Sequence, residues 1–173
     1  MAHEIDFTTG LPAVAYTGQK PWHGFGQVME EDLTLDEWRV AAGLNWDVLE
    51  RVVKYSPFVG GERGRTIKEY SDRKILLRSD TFDALSCVSD KFKVVNPKEV
   101  MEFFESLIEK SGFKMCTAGS LRGGRRIWAM AEAGDGFEIR GDRVDPYLLV
   151  ATAYDGTFST TAKFTTIRTV CNN

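Results

Sequence analysis

From Asn96 to Gly112 apolar residues recur at helical spacing. Val100, Phe103, Phe104, Leu107 and Ile108 share one side, and Lys98, Glu102, Glu105 and Glu109 fall mostly on the other. Asn96 can cap this helix, Pro97 suits its first turn, Glu99 lies three residues past the cap, and Gly112 ends it. A shorter helix is signed from Leu35 to Ala42. Thr34 and Glu37 make a capping box, Leu33 and Trp38 a hydrophobic staple, and Gly43 the stop.

Elsewhere the pattern alternates or runs to valine, which reads as strand. VLERVVKY, from Val48, is one such run. TIKEY and KILLR flank Ser71-Asp72-Arg73, and ALSCVS and FKVVN flank Ser89-Asp90, so both pairs read as hairpins. GGERGR, residues 60–65, is a polar turn or loop. FKMCTAGSL and RIWAMAE join around Gly123-Gly124, a pair suited to a type I′ turn. FEIRG is a short strand. PYLLVATAY and TFSTTAKFTTI flank Asp155-Gly156, the strongest hairpin signal in the chain. Residues 1–33 are punctuated by Gly10, Pro12, Gly18, Pro21, Gly24 and Gly26 and read as an irregular lead-in. Trp22 and Phe25 are expected to pack its KPWHGFGQ bend onto the body.

Short turns between strands mean antiparallel pairing. The expected fold class is α+β: an antiparallel sheet of several hairpins, one long helix across a face, and a short N-terminal helix. Residues 34–173 are expected to form a single domain. The 173-residue length, 43% hydrophobic and 27% charged, fits one globular unit. No apolar run is long enough to span a membrane. MAHEIDFTTG lacks the apolar core of a secretory signal, so a cytoplasmic location is expected.

Charge alters the picture more than composition does. The net formal charge is −3, yet residues 1–50 carry nine acids and two bases. From Lys110 to Trp128 there are five bases, Lys110, Lys114, Arg122, Arg125 and Arg126, and no acid. After Gly156 come Lys163 and Arg168, again with no acid. Such asymmetry points to an anionic partner. Arginines at a hairpin tip suit phosphate, and Trp128, two residues past Arg126 on the same sheet face, suits base stacking. The competing reading is a solvated turn beside a core tryptophan.

Other chemistry is thin. Cys87, Cys116 and Cys171 are dispersed and odd in number, which argues against disulfides and zinc and for buried free thiols. His3 is near the terminus, and His23 sits in PWHGFG with no partner that sequence can supply. GSLRGG lacks the lysine and hydroxyl of a phosphate loop, and WHGFGQ lacks the third glycine of a dinucleotide site. Asp142, Asp145 and Asp155 fit ordinary polar turns as well as they fit a Mg²⁺ site. No cofactor, metal or catalytic residue is expected.

KPWHGFGQ, AGLNWDV, LLRSDT, CVSDKFKVVNPKEV, TAGSLRGGRRIWAMAE, PYLLVATAYDG and IRTVCNN follow in that order. From about Lys20 to Asn173 the chain resembles the phage/plasmid-like protein family of phages and mobile elements, catalogued as a domain of unknown function. PWHG and RTVCNN are its most specific pieces. The resemblance implies a protein of the bacterial host cytoplasm with no agreed activity. It also implies a chain cut short at its C-terminal end, since relatives run past VCNN into further helix. Many relatives carry histidine where this chain has Tyr154, which counts against catalysis at that turn. The order of elements is further similar, at the level of fold, to phage single-strand annealing proteins of the Red beta, RecT and Erf types. Those hold single strands by the backbone, as rings or filaments.

The leading expectation is therefore binding and annealing of single-stranded DNA in recombination, by Lys110, Lys114, Arg122, Arg125, Arg126, Trp128, Lys163 and Arg168, with homo-oligomers possible. The alternative is a protein-interaction module, such as a phage-encoded inhibitor of a host factor, working through the acidic residues 1–50. A third is an enzyme using His23 and a carboxylate.

Overall fold

The computed structural model describes residues 4–18, 21, 24–30, 33–57 and 66–169. Among these residues two helices and ten strands are formed: β1 Val14–Tyr16, β2 Gln27–Val28, α1 Leu35–Ala41, β3 Val48–Tyr55, β4 Lys68–Arg78, β5 Ala84–Ser89, α2 Pro97–Ser111, β6 Lys114–Leu121, β7 Arg126–Glu132, β8 Phe137–Ile139, β9 Asp142–Ala153 and β10 Thr161–Thr169. The class is α+β, with antiparallel hairpins dominant.

The strands divide into two sheets rather than one. The larger runs β10-β9-β7-β6-β1-β2, with β8 also on β9, and the smaller runs β3-β4-β5. The residues read as an irregular lead-in supply β1 and β2. Val14, Ala15 and Tyr16 are all buried, a short apolar run hidden among turn residues. β1 pairs antiparallel with β6, and β2 adds in parallel to β1.

Two expected hairpins are corrected. Lys68–Arg78 is one strand, not two. Ser71, Asp72 and Arg73 are looped out between the pairs Val52–Lys74 and Val53–Tyr70, so their turn chemistry makes a bulge. FKVVN forms no strand. Phe92, Val94 and Val95 instead pack partly buried against the core on the approach to α2. Asn96 is held extended before Pro97, with φ −68° and ψ 155°.

The helix signals hold. In α1 the Thr34 hydroxyl accepts from the Glu37 N–H, and the Glu37 carboxylate accepts from the Thr34 N–H at 2.8 Å. At α2 the Glu99 carboxylate accepts from the Asn96 N–H at 2.7 Å, while Asn96 Oδ1 accepts from the Val48 N–H at 2.8 Å and so ties β3 to the helix start. Gly112 closes α2 in the left-handed region at φ +66°.

One core joins these layers. Val100, Met101 and Phe104 of α2 are buried with Trp38, Trp46, Leu76, Ile127, Ala129, Ala131 and Val150. Phe103, on the helical stripe by spacing, is 45% exposed. Along β7 the buried Ile127, Ala129 and Ala131 alternate with half-buried Arg126, Trp128, Met130 and Glu132, so the large sheet has one core face and one outer face. Among the described residues no helix is long and apolar enough to cross a membrane.

Candidate nucleic-acid interface

The β6–β7 hairpin closes at the pair Leu121–Arg126, leaving Arg122 to Arg125 as its tip. Gly123 and Gly124 have φ +67° and +92°, as a type I′ turn requires. Gly124 has a second reason to be glycine. A Cβ there would lie 3.0 Å from Arg78 Nη1 and 3.0 Å from Trp46 Cζ2. The tip is thus seated on a buried arginine and a buried tryptophan.

Arg78 is fully buried and its guanidinium sits 4.5 Å from the Trp46 ring centroid. Nη1 meets Asp6 at 2.6 Å, and Nε and Nη2 fork onto Asp80 at 2.9 and 2.7 Å. Asp6 also accepts from the Ser120 hydroxyl at 2.8 Å and the Thr8 N–H at 2.8 Å. Burial would raise the Asp6 carboxyl, but the Thr8 and Ser120 hydrogen bonds and the Arg78 charge outweigh it and hold it low. Asp80 is likewise held low against its burial by Arg78. Sequence reading missed this cluster, although Arg78 continues the alternation of buried Leu76 and so falls on the core face.

The tip arginines differ from one another. Arg122 Nε pairs with Glu4 at 2.6 Å, both side chains being partly exposed. Arg126 Nε reaches Asp155 at 3.3 Å and its guanidinium lies 5.9 Å from the Phe158 centroid. Arg125 is exposed and takes part in no ion pair among the described residues, while its carbonyl accepts from the Tyr154 N–H at 2.8 Å.

Trp128 stands opposite Gly119 and lies over it: a Cβ on Gly119 would be 2.5 Å from the indole. Cross-strand register places Trp128, Ala151 and Thr161 in one row and Met130, Leu149 and Lys163 in the next. Arg126, Trp128 and Lys163 therefore share the outer face, with Lys163 about 10 Å across the sheet from Met130. Lys110 and Lys114 are not with them. Lys110 is exposed in the last turn of α2, and Lys114 starts β6 opposite Glu132. The eight residues of β6 separate Lys114 from the tip by roughly 23 Å. The backbone of Arg168 pairs with Val144 of β9, and its side chain lies outside the described residues.

The remaining candidates are ordinary. Tyr154 is core: its hydroxyl donates to the Val95 carbonyl at 2.8 Å, and the Ser86 hydroxyl donates to the Tyr154 carbonyl. Asp145 accepts from Arg143 Nε at 2.7 Å, and Asp155 accepts from the Thr157 N–H at 3.1 Å. Among the described residues no group of three or more His, Cys, Asp or Glu is placed to hold a metal. Cys87 is exposed, not buried, because it lies on the outward side of β5, and Cys116 is intermediate. Phe25, 43% exposed, packs edge-to-face on Phe7 at 5.4 Å. His3, Trp22, His23, GGERGR and VCNN lie outside the described residues. A groove of about 530 Å³ runs between α1 and α2, lined by the apolar Leu35, Met101 and Ile108, by Glu105 and Glu109, and by the ion pairs Asp36–Arg39 and Lys98–Glu102.

Fold and tip define the class first: a two-sheet α+β protein whose β6–β7 hairpin carries arginines at a tip seated on a buried arginine. The chain belongs to the DUF932 family, a domain of unknown function, whose model matches residues 84–173, from the first residue of β5 onward. No curated protein and no solved structure matches the chain.

Proposed function

We propose that this protein holds single-stranded DNA on the outer face of its large sheet and promotes annealing in recombination, as a phage or mobile-element protein of the bacterial cytoplasm. The observation that carries the reading is the exposed Arg125 at the tip, which makes no ion pair among the described residues and adjoins a face that bears Arg126, Trp128 and Lys163. Arg125 takes the first phosphate. Arg122 and Arg126 exchange surface carboxylates for phosphates, an exchange that costs little because exposed ion pairs are weak. Trp128 offers part of an indole face to a base. The similarity of element order to phage annealing proteins supports the same reading. Lys114, roughly 23 Å from the tip along β6, would meet a different stretch of the same strand, and Lys110 at the end of α2 would extend that path.

The test is fluorescence anisotropy of a labelled single-stranded oligonucleotide over a salt series. Binding that falls steeply with salt is expected, and changing Arg122, Arg125 and Arg126 to alanine should flatten the slope by about two. An unchanged affinity in that variant overturns the assignment.

A second reading draws on the α1–α2 groove, whose apolar walls and excess of carboxylates over bases, Glu105 and Glu109 beyond the two ion pairs, suit a basic segment of a protein partner. Charge reversal at Glu105 and Glu109 would abolish that contact and leave oligonucleotide affinity intact.

A further inference from the structure

The β3–β4 hairpin outruns its own sheet. β5 pairs β4 only from Arg73 to Leu77, so from Tyr70 outward β3 is the one strand paired with β4 among the described residues. The bulge at Ser71–Arg73 marks the point where the third strand ends. Every residue from Lys68 to Arg73 is exposed, and so are Val52 at 54%, Tyr55 at 46% and Tyr70 at 47%. A bare two-stranded ribbon is marginally stable in water, and it has no core in which to bury aromatic rings.

Register decides which side chains share a face. Tyr55 is opposite Lys68 and Val53 is opposite Tyr70, so Tyr55, Lys68 and Tyr70 lie together on one side of the ribbon. The surrounding charge is positive. Arg51–Pro57 and Thr66–Lys74 hold five bases against two acids, in a chain of net charge −3. Lys54 and Lys74 are paired with Glu69 and Glu50, at 3.3 and 2.8 Å. Arg51, Lys68 and Arg73 take part in no ion pair among the described residues.

We infer that this ribbon is a second contact element for a nucleic-acid strand, with Tyr55 and Tyr70 stacking bases and Arg51, Lys68 and Arg73 meeting phosphates. The inference rests on the single-strand reading above, but on different residues. Exposed rings beside unpaired cations are the two components of sequence-tolerant strand binding. The ribbon's base also adjoins the first element: Val48 pairs with Arg78, the residue beneath Gly124 of the tip.

Three variants separate the two claims by oligonucleotide anisotropy: Tyr55→Ala/Tyr70→Ala, Arg51→Ala/Lys68→Ala/Arg73→Ala, and the triple tip variant. All the substituted ribbon side chains are exposed, so unchanged circular dichroism and melting are expected. The tyrosine variant should weaken binding at least about fivefold. The cation variant should lower the salt slope by about two. If both ribbon variants bind as the parent does while the tip variant fails, the ribbon inference is wrong and the tip reading stands. The reverse result keeps the ribbon and removes the tip. A parent chain that binds no oligonucleotide at low salt overturns both. Ribbon variants that bind normally but sediment as a smaller species would assign the ribbon to self-association instead.

Discussion

Asp6 and Arg78 meet at 2.6 Å across 72 residues of sequence, both side chains almost wholly out of water. Because Gly124 rests on Arg78, this one pair fixes the N-terminal segment, the end of β4 and the basic tip together. Removing the cation strands a buried carboxylate. Arg78→Ala should lower the free energy of unfolding by about 3–5 kcal/mol, read from urea denaturation. Arg78→Lys should recover little, since lysine cannot fork onto Asp80.

The same carboxylates set the acid limit. Asp6 and Asp80 titrate below the ordinary 3.8 when folded. Their contribution is therefore complete above the unfolded value and lost as pH falls through the folded ones. The urea midpoint should hold steady above about pH 5 and drop from about pH 4 downward. Asp6→Asn should cost stability at pH 7 and give a shallower acid decline.

Glu4 occupies Arg122 as a phosphate would. The hydrogen bond from Arg122 holds the Glu4 carboxyl below the usual carboxylate range. Under the proposed function, Glu4→Gln should raise oligonucleotide affinity by up to about fivefold without moving the melting temperature. An affinity equal to the parent's would mean that Glu4 does not compete with the strand for Arg122.

Gly119→Ala tests the seat of Trp128. The new methyl would stand 2.5 Å from the indole and 2.5 Å from the Ala13 carbonyl, so ring and strand must both shift. A loss of about 1–3 kcal/mol is expected, together with changed tryptophan fluorescence.

The two described thiols should differ sharply toward a disulfide reagent in a Cys171→Ser background. Cys87 is exposed and should react quickly. Burial, with the charge of Glu132, pushes the Cys116 thiol up to about 12, so little thiolate exists at pH 8 and reaction should be slow.

Much of this fold is legible in local signals. The capping boxes, the left-handed glycines and the GG turn act within a few residues, and the helices and hairpin they predict are present, whereas Asp155-Gly156 sits in the loop between the paired Ala151 and Thr161 and makes no two-residue hairpin turn. What local signals lack is knowledge of neighbours. Ser71-Asp72-Arg73 has the composition of a turn, yet β3 pairs with β4 both before and after it, at Lys74 and at Tyr70, so the chain continues as one strand with a bulge. FKVVN has the composition of a strand but finds no ladder partner. At the candidate interface the arginines were visible, whereas their carboxylates were not. Glu4 meets Arg122 over 118 residues and Asp155 meets Arg126 over 29, so an acid-free stretch of sequence is not an acid-free surface.

The place of β1 also dictates an order of events during synthesis. β2 follows Val14–Tyr16 closely, but the antiparallel partner Thr117–Gly119 joins it to the rest of the sheet, so about a hundred residues must emerge from the ribosome before that docking. At 5–20 residues per second that is roughly 5–20 s of waiting, long after the β3–β4 hairpin has closed. The first strand made must wait for the sixth, and its apolar Ala-Val-Ala-Tyr run spends that interval apart from the main body of its sheet.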